Sequence, residues 1–119
     1  MADINQRVAD KSYALAKRIV KAYLYLRDEK REYILAKQML RSGTSICAQI
    51  REAKFAQSKA DFIAKLSISL KEANETQYWL ELLHDCDFID DMAFESIHKD
   101  AEEVTAMLVA IIRTLKEQH

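Results

Sequence analysis

The chain has 119 residues with one Gly and no Pro, and half of it is apolar. So few chain-turning residues argue against hairpins and parallel sheets and leave an all-α fold, and this length predicts a single domain over 1–119 able to bury roughly two-thirds of its unfolded surface. The net charge of −1 hides an asymmetry: up to Lys71 there are 15 Lys and Arg against 7 Asp and Glu, beyond it 3 against 12. A basic half points to nucleic acid, a membrane surface or an acidic partner, or, more simply, to attraction between oppositely charged antiparallel helices within one bundle.

Cys47 and Cys86 stand 39 positions apart with no second pair near either, which indicates neither a metal knuckle nor a disulfide framework. The first dozen residues lack an apolar signal core, and no apolar run approaches the roughly 20 residues of a membrane span. A cytoplasmic protein without membrane contact is expected.

Taken in order, helix one is predicted over about 4–27, with Val8, Leu15, Ile19, Ala22 and Leu26 on one side, the spacing of a 3.6-residue turn. On another arc Arg7, Lys11, Lys17, Arg18 and Lys21 make a basic ridge, either a solvated face or a surface that tracks a phosphate backbone without reading bases. The charged run 27–31 marks a turn that no Gly, Pro or Asn announces. Tyr33 continues helix one's stripe, so one long helix through this region is the competing reading; the break is preferred because a helix of more than 50 residues would be far outside the usual length.

Helix two is predicted over about 32–56, its inner side formed by Ala36, Met39, Leu40, Gly43, Ile46, Cys47, Ile50 and Ala53. Glycine costs about 1 kcal/mol relative to alanine inside a helix, so Gly43 is read as permitting close approach, opposite small residues such as Ser69. A helix break at Ser42-Gly43 is the alternative. Ser45, Gln49 and Glu52 form a polar row away from that stripe, either solvated surface or half of a subunit contact.

Helix three, about 59–86, opens with Ser58 and Asp61 at capping-box spacing. Phe62, Leu66, Leu70, Ala73, Leu80 and Leu83 follow on one side, with Ser69 among them, while Ile68 and Trp79 widen the stripe around Glu72. Helix four, about 91–117, capped by Asp90 or Asp91, repeats Phe94, Ile97, Ala101, Val104, Leu108, Ile111 and Leu115 without a fault. Four such stripes predict an antiparallel up-down four-helix bundle.

Glu81-x-x-His84 and Glu95-x-x-His98 share a spacing that di-iron bundles use. Yet Glu95 lies nearly opposite the apolar seam of helix four, and helices one and two supply no inward carboxylate at that level, where Leu26 and Tyr33 take the inner positions. No metal, no other cofactor and no catalytic residue is therefore expected. There is no Gly-rich phosphate loop and no nucleophile turn, so the chain reads as a non-enzyme. Cys47 reads as a small buried hydrophobe.

The runs RSGTSI over 41–46, QIREA over 49–53, AQSKADFI over 56–63 and SLKEANETQYWL over 69–80 resemble the bacterial four-helix bundle family encoded in intervening sequences of 23S ribosomal RNA genes. The resemblance covers most of the chain. Cys47 and Gln49 depart from it, where glycine and asparagine are expected. It implies a ring-shaped homo-oligomer, most simply a pentamer. Accessory proteins of diversity-generating retroelements are related, which brings nucleic acid and a reverse transcriptase into view as partners. Carried over by position, Ser45, Gln49, Glu52, Ser69 and Glu72 are the polar motif residues, structural or interfacial in role; Ile68 and Trp79 join them as interface candidates from their place on the helix. The function expected is a non-enzymatic oligomeric binding module whose ridge of Arg7, Lys11, Lys17, Arg18 and Lys21 contacts nucleic acid, with a scaffold that binds only protein as the alternative.

Overall fold

The computed structural model describes the backbone of residues 2–118, with side chains from residue 6; residues 1 and 119 of the expected domain lie outside the described residues. Four helices follow one another: α1 (Ala2–Asp28), α2 (Ile34–Ala53), α3 (Lys59–Asp85) and α4 (Asp91–Glu117). No strand occurs among the described residues. Each helix packs on its chain neighbours and α1 closes the ring against α4, in a bundle of 49 × 21 × 19 Å. Cross-helix contacts run in opposite residue order, so the α2–α3 and α1–α4 seams are antiparallel: Ser42 meets Thr76 while Ile46 meets Ser69, and Lys11 meets Glu103 while Arg18 meets Asp100.

The core is made by the expected stripes. Val8, Leu15, Ile19 and Leu26 of α1, Met39, Ile46 and Ile50 of α2, Leu66, Leu80 and Leu83 of α3, and Val104, Leu108 and Leu115 of α4 are buried in one cluster. Each such side chain contributes about 1.5–3 kcal/mol by leaving water. Phe62, Leu70 and Phe94 flank this cluster half-buried.

Capping explains where the later helices start. The Ser58 hydroxyl accepts the Asp61 N–H at 3.0 Å, and the Asp61 carboxylate accepts the Gln57 N–H at 3.1 Å, a reciprocal arrangement in which a short aspartate reaches the residue before the cap. That amide bond, with the Lys65 ammonium, holds the Asp61 carboxyl below its ordinary pKa. Asp90 caps α4 by accepting the Ala93 N–H at 2.8 Å.

The α1–α2 turn is made without glycine or proline. Arg31 takes a left-handed φ of 52°, which costs an L-residue roughly 1–2 kcal/mol, and Glu32 Oε1 accepts the Ala36 N–H at 2.9 Å. Helix α2 therefore begins at Ile34. Tyr33 does not hold the inner position expected of it: the turn swings it outward, leaving it 48% exposed. The single long helix is thereby excluded. Helix α2 ends at Ala53, and Phe55 beyond it is exposed.

No break occurs at Ser42-Gly43. Gly43 is buried in an uninterrupted helix, and a Cβ there would lie 2.8 Å from both Cγ1 and Cγ2 of Ile19. The close approach is real but its partner is α1, not Ser69, because Gly43 sits on the α1 flank of the stripe. Ser69 instead donates to the Ile46 carbonyl at 2.8 Å.

Candidate interaction surfaces

The polar residues of the densest motifs converge on the α2–α3 seam. Ser42, Ser69 and Thr76 are fully buried there, with the Thr76 and Ser42 hydroxyls 3.0 Å apart and Thr76 also donating to the Glu72 carbonyl at 2.8 Å. Small hydroxyl residues suit such a place because they let two helices approach while each O–H finds a carbonyl or hydroxyl partner. Ser69 is thus an internal packing residue of the bundle. Arg41 reaches over the outer edge of this seam, 3.3 Å from Glu75 Oε2 and 3.7 Å from Glu72 Oε2.

That outer edge carries the two rows read from the sequence. On α2, Ser45 and Gln49 are half-buried and Glu52 is exposed, and the Ser45 hydroxyl donates to the Arg41 carbonyl at 2.7 Å. On α3, Ile68 is 45% exposed while the Glu72 side chain is only 12% exposed. Two atoms here are buried without a hydrogen-bond partner: Glu72 Oε2 and the indole nitrogen of Trp79. The Trp79 ring also packs edge-on against Tyr78, with centroids 4.9 Å apart.

The basic ridge divides. Lys11 pairs with Glu103 at 3.2 Å, and Arg18 pairs with Asp100 at 2.6 Å and donates to the Ser96 hydroxyl at 2.8 Å. Both cations are turned toward the acidic flank of α4, which is the intramolecular attraction that the charge asymmetry allowed. Arg7, Lys17 and Lys21 are exposed. Lys17 lies 4.9 Å above the Tyr13 ring, which also receives the Arg51 guanidinium of α2 at 4.8 Å. Arg51 was not among the residues singled out, since only the tertiary fold sets it beside helix one. Arg18 and Lys21 also border a groove of about 470 Å³ between α1 and α4, floored by Ala22, Leu26, Ile89 and Ile97.

The two Glu-x-x-His motifs meet across the α3–α4 hairpin through hydrogen bonds of their histidines. Glu81 Oε2 lies 2.8 Å from His98 Nε2, and His84 Nε2 lies 2.6 Å from Asp91 Oδ1. Glu95 is exposed and joins neither pair. Among the described residues no group of three or more His, Cys, Asp or Glu side chains is arranged to hold a metal. Cys47 is buried and Cys86 exposed, both as free thiols. No described helix is long and apolar enough to cross a membrane.

Three comparisons bear on this architecture. No curated protein matches the chain. Among solved structures, a protein of unknown function from the S23 ribosomal protein family of Bacteroides thetaiotaomicron is 53% identical, with a TM-score of 0.91 over 92% of this chain and 98% of that one. The family model described as 23S rRNA-intervening sequence protein matches residues 5–110, a span that holds the Ser42–Thr76 and Ser69–Ile46 contacts of the α2–α3 seam. The chain belongs to the 23S rRNA-intervening sequence protein family.

Proposed function

We propose that the protein is a non-enzymatic, cytoplasmic binding module that works as a cyclic homo-oligomer, with the outer edge of the α2–α3 seam as its self-association face. The observation that carries this reading is the pair of buried atoms that make no hydrogen bond, Glu72 Oε2, which has the Arg41 guanidinium at 3.7 Å, and Trp79 Nε1. Leaving such a group unsatisfied costs about 1–3 kcal/mol, more for a charge. A second chain laid over this edge would offer the carboxylate a donor and the indole an acceptor, and it would cover Ile68. Tryptophan in a polar-rimmed patch is what interface centres favour. If the covering surface differs from the covered one, the contacts are head-to-tail and close into a ring when the rotation permits; five subunits is the size that the family resemblance implies.

Light scattering at micromolar concentration tests this. The expected mass is several times the 13.8 kDa of one chain, reduced by Trp79→Ala or by Glu72→Lys, and a monomer for the unaltered chain would overturn it.

What the module binds is a second matter, and one observation favours nucleic acid: Lys17 of α1 and Arg51 of α2 converge on the exposed Tyr13 ring, which groups cations suited to phosphate contact on one surface. The ion pairs of Lys11 and Arg18 favour the competing reading, a scaffold for a protein partner such as a reverse transcriptase. Titration of labelled structured RNA and duplex DNA at low and physiological salt separates them. Nucleic-acid binding must weaken steeply with salt through counterion release, and no binding at low salt would leave the protein scaffold.

A further inference from the structure

We infer that the groove between α1 and α4 is a binding site for a free amphipathic monoanion, a single carboxylate on an unbranched apolar chain. The antiparallel register fixes its layout. Arg18 reaches Ser96 and Asp100, so one turn further along α1 Ala22 comes level with Ala93, and two turns further Leu26 comes level with Ile89. Two alanines at one level leave a gap where larger side chains would fill the seam, and the groove of about 470 Å³ is that gap. Its floor of Leu26, Ile89 and Ile97 is continuous with the core. From Arg18 to Leu26 the groove runs about 12 Å, at the rise of a helix.

Charge distinguishes the two ends. Arg18 and Lys21 stand at the inner end, but Arg18 is held by Asp100 at 2.6 Å and by the Ser96 hydroxyl, so its charge is balanced within the fold. Lys21 is exposed and enters no ion pair among the described residues. At the loop end the ionised group is Asp90, which caps α4 by accepting the Ala93 N–H, and Tyr25 lies beside it. A ligand that suits both ends sets one anionic head at Lys21 and runs an uncharged tail past the two alanines to Leu26 and Ile89, where the tail leaves water. An apolar recess with a few polar groups that fix orientation is the usual form of a small-ligand site. An ammonium head would meet Lys21, and a second carboxylate on the tail would meet Asp90, so the same groups select against both.

The rim favours a solute over a membrane or a second copy of the chain. It carries charges of both signs, Arg18 and Lys21 with Asp90 and Asp100, and a bilayer or a subunit laid flat over it would have to take them out of water. A single chain lying in the recess leaves them solvated. The edge proposed for self-association belongs to the α2–α3 seam, across the bundle from this one.

Titration calorimetry on the intact protein tests the site, with decanoate, decylammonium and decanedioate each kept below its aggregation concentration and hydrogen exchange used to locate binding. Decanoate is expected to bind about tenfold more tightly than either of the others, the effect of one charge contact at a water-exposed rim, and to protect segments 18–26 and 89–97. Lys21→Glu is expected to reverse the order of decanoate and decylammonium. Ala93→Leu, at an exposed position, and Ala22→Leu both fill the recess, and each is expected to weaken decanoate by about tenfold or more, with circular dichroism checking that the helices persist. Phosphatidylglycerol vesicles and the Glu72→Lys variant supply the membrane and dissociated-subunit arms. Equal affinity for the two head groups, undiminished binding to folded Ala93→Leu, or protection confined to other segments would overturn the inference. So would the absence of binding, binding to the vesicles alone, or binding to Glu72→Lys alone, which would show that another copy fills the groove.

Discussion

The α2–α3 and α1–α4 seams join helices of the same bundle by opposite means. Between α2 and α3 the helices pack most extensively, and buried serines and a threonine make the hydrogen bonds: Ser69 to the Ile46 carbonyl at 2.8 Å and Thr76 with Ser42 at 3.0 Å. Between α1 and α4 packing is least extensive, the polar contacts are the solvent-edge pairs Lys11–Glu103 and Arg18–Asp100, and a groove remains open. The difference shows why motifs concentrate in one seam. Where two backbones come close, side-chain size and every hydroxyl's partner are constrained together; where a gap is left, long charged side chains bridge it and many residues would serve.

The largest expected effect lies on the other flank of α2. Gly43→Leu should lower the unfolding free energy by about 3 kcal/mol, the upper part of the range for overfilled cores, because even a Cβ would meet Ile19 at 2.8 Å. Urea denaturation checks this, and Ile19→Ala in the same chain should recover part of the loss, which a purely propensity-based effect would not allow. Ser69→Leu follows at about 2 kcal/mol, since it overfills the seam and removes a hydrogen bond.

Ser69→Ala isolates the bond and should cost about 1 kcal/mol. A similar loss is expected for Thr76→Val, and its coupling to Ser42→Ala in a double-mutant cycle should be measurable, because the two hydroxyls touch. At the other seam the cycle between Arg18→Ala and Asp100→Ala should give a coupling below about 1 kcal/mol that shrinks as salt is added. A coupling at Arg18–Asp100 larger than that at Ser42–Thr76 would break the comparison.

Much of this architecture is legible in the residues. The stripes of α3 and α4, the Ser58 and Asp90 caps and the scarcity of turn residues follow from side-chain periodicity and local hydrogen bonding, which act within four or five residues. They determine four amphipathic helices and, through them, the all-α bundle. The resemblance carried by the runs 41–46 and 69–80 determines the family.

Other features depended on which helix lies against which. The α1–α2 break rests on a left-handed Arg31 and a Glu32 cap that no turn residue announces, so Tyr33 was misplaced on the inner side. Gly43 and Ser69, both expected on close-packed faces, turned out to face different neighbours. The ridge of Arg7, Lys11, Lys17, Arg18 and Lys21 is continuous along one helix but is divided by α4, which engages Lys11 and Arg18, and is extended by Arg51 from α2. Glu72 is nearly buried although its type suits an exposed position. A helical wheel gives each residue an angle on its own helix; the partner, burial and free charge of that residue depend on the other three helices, and so only the tertiary structure decided them.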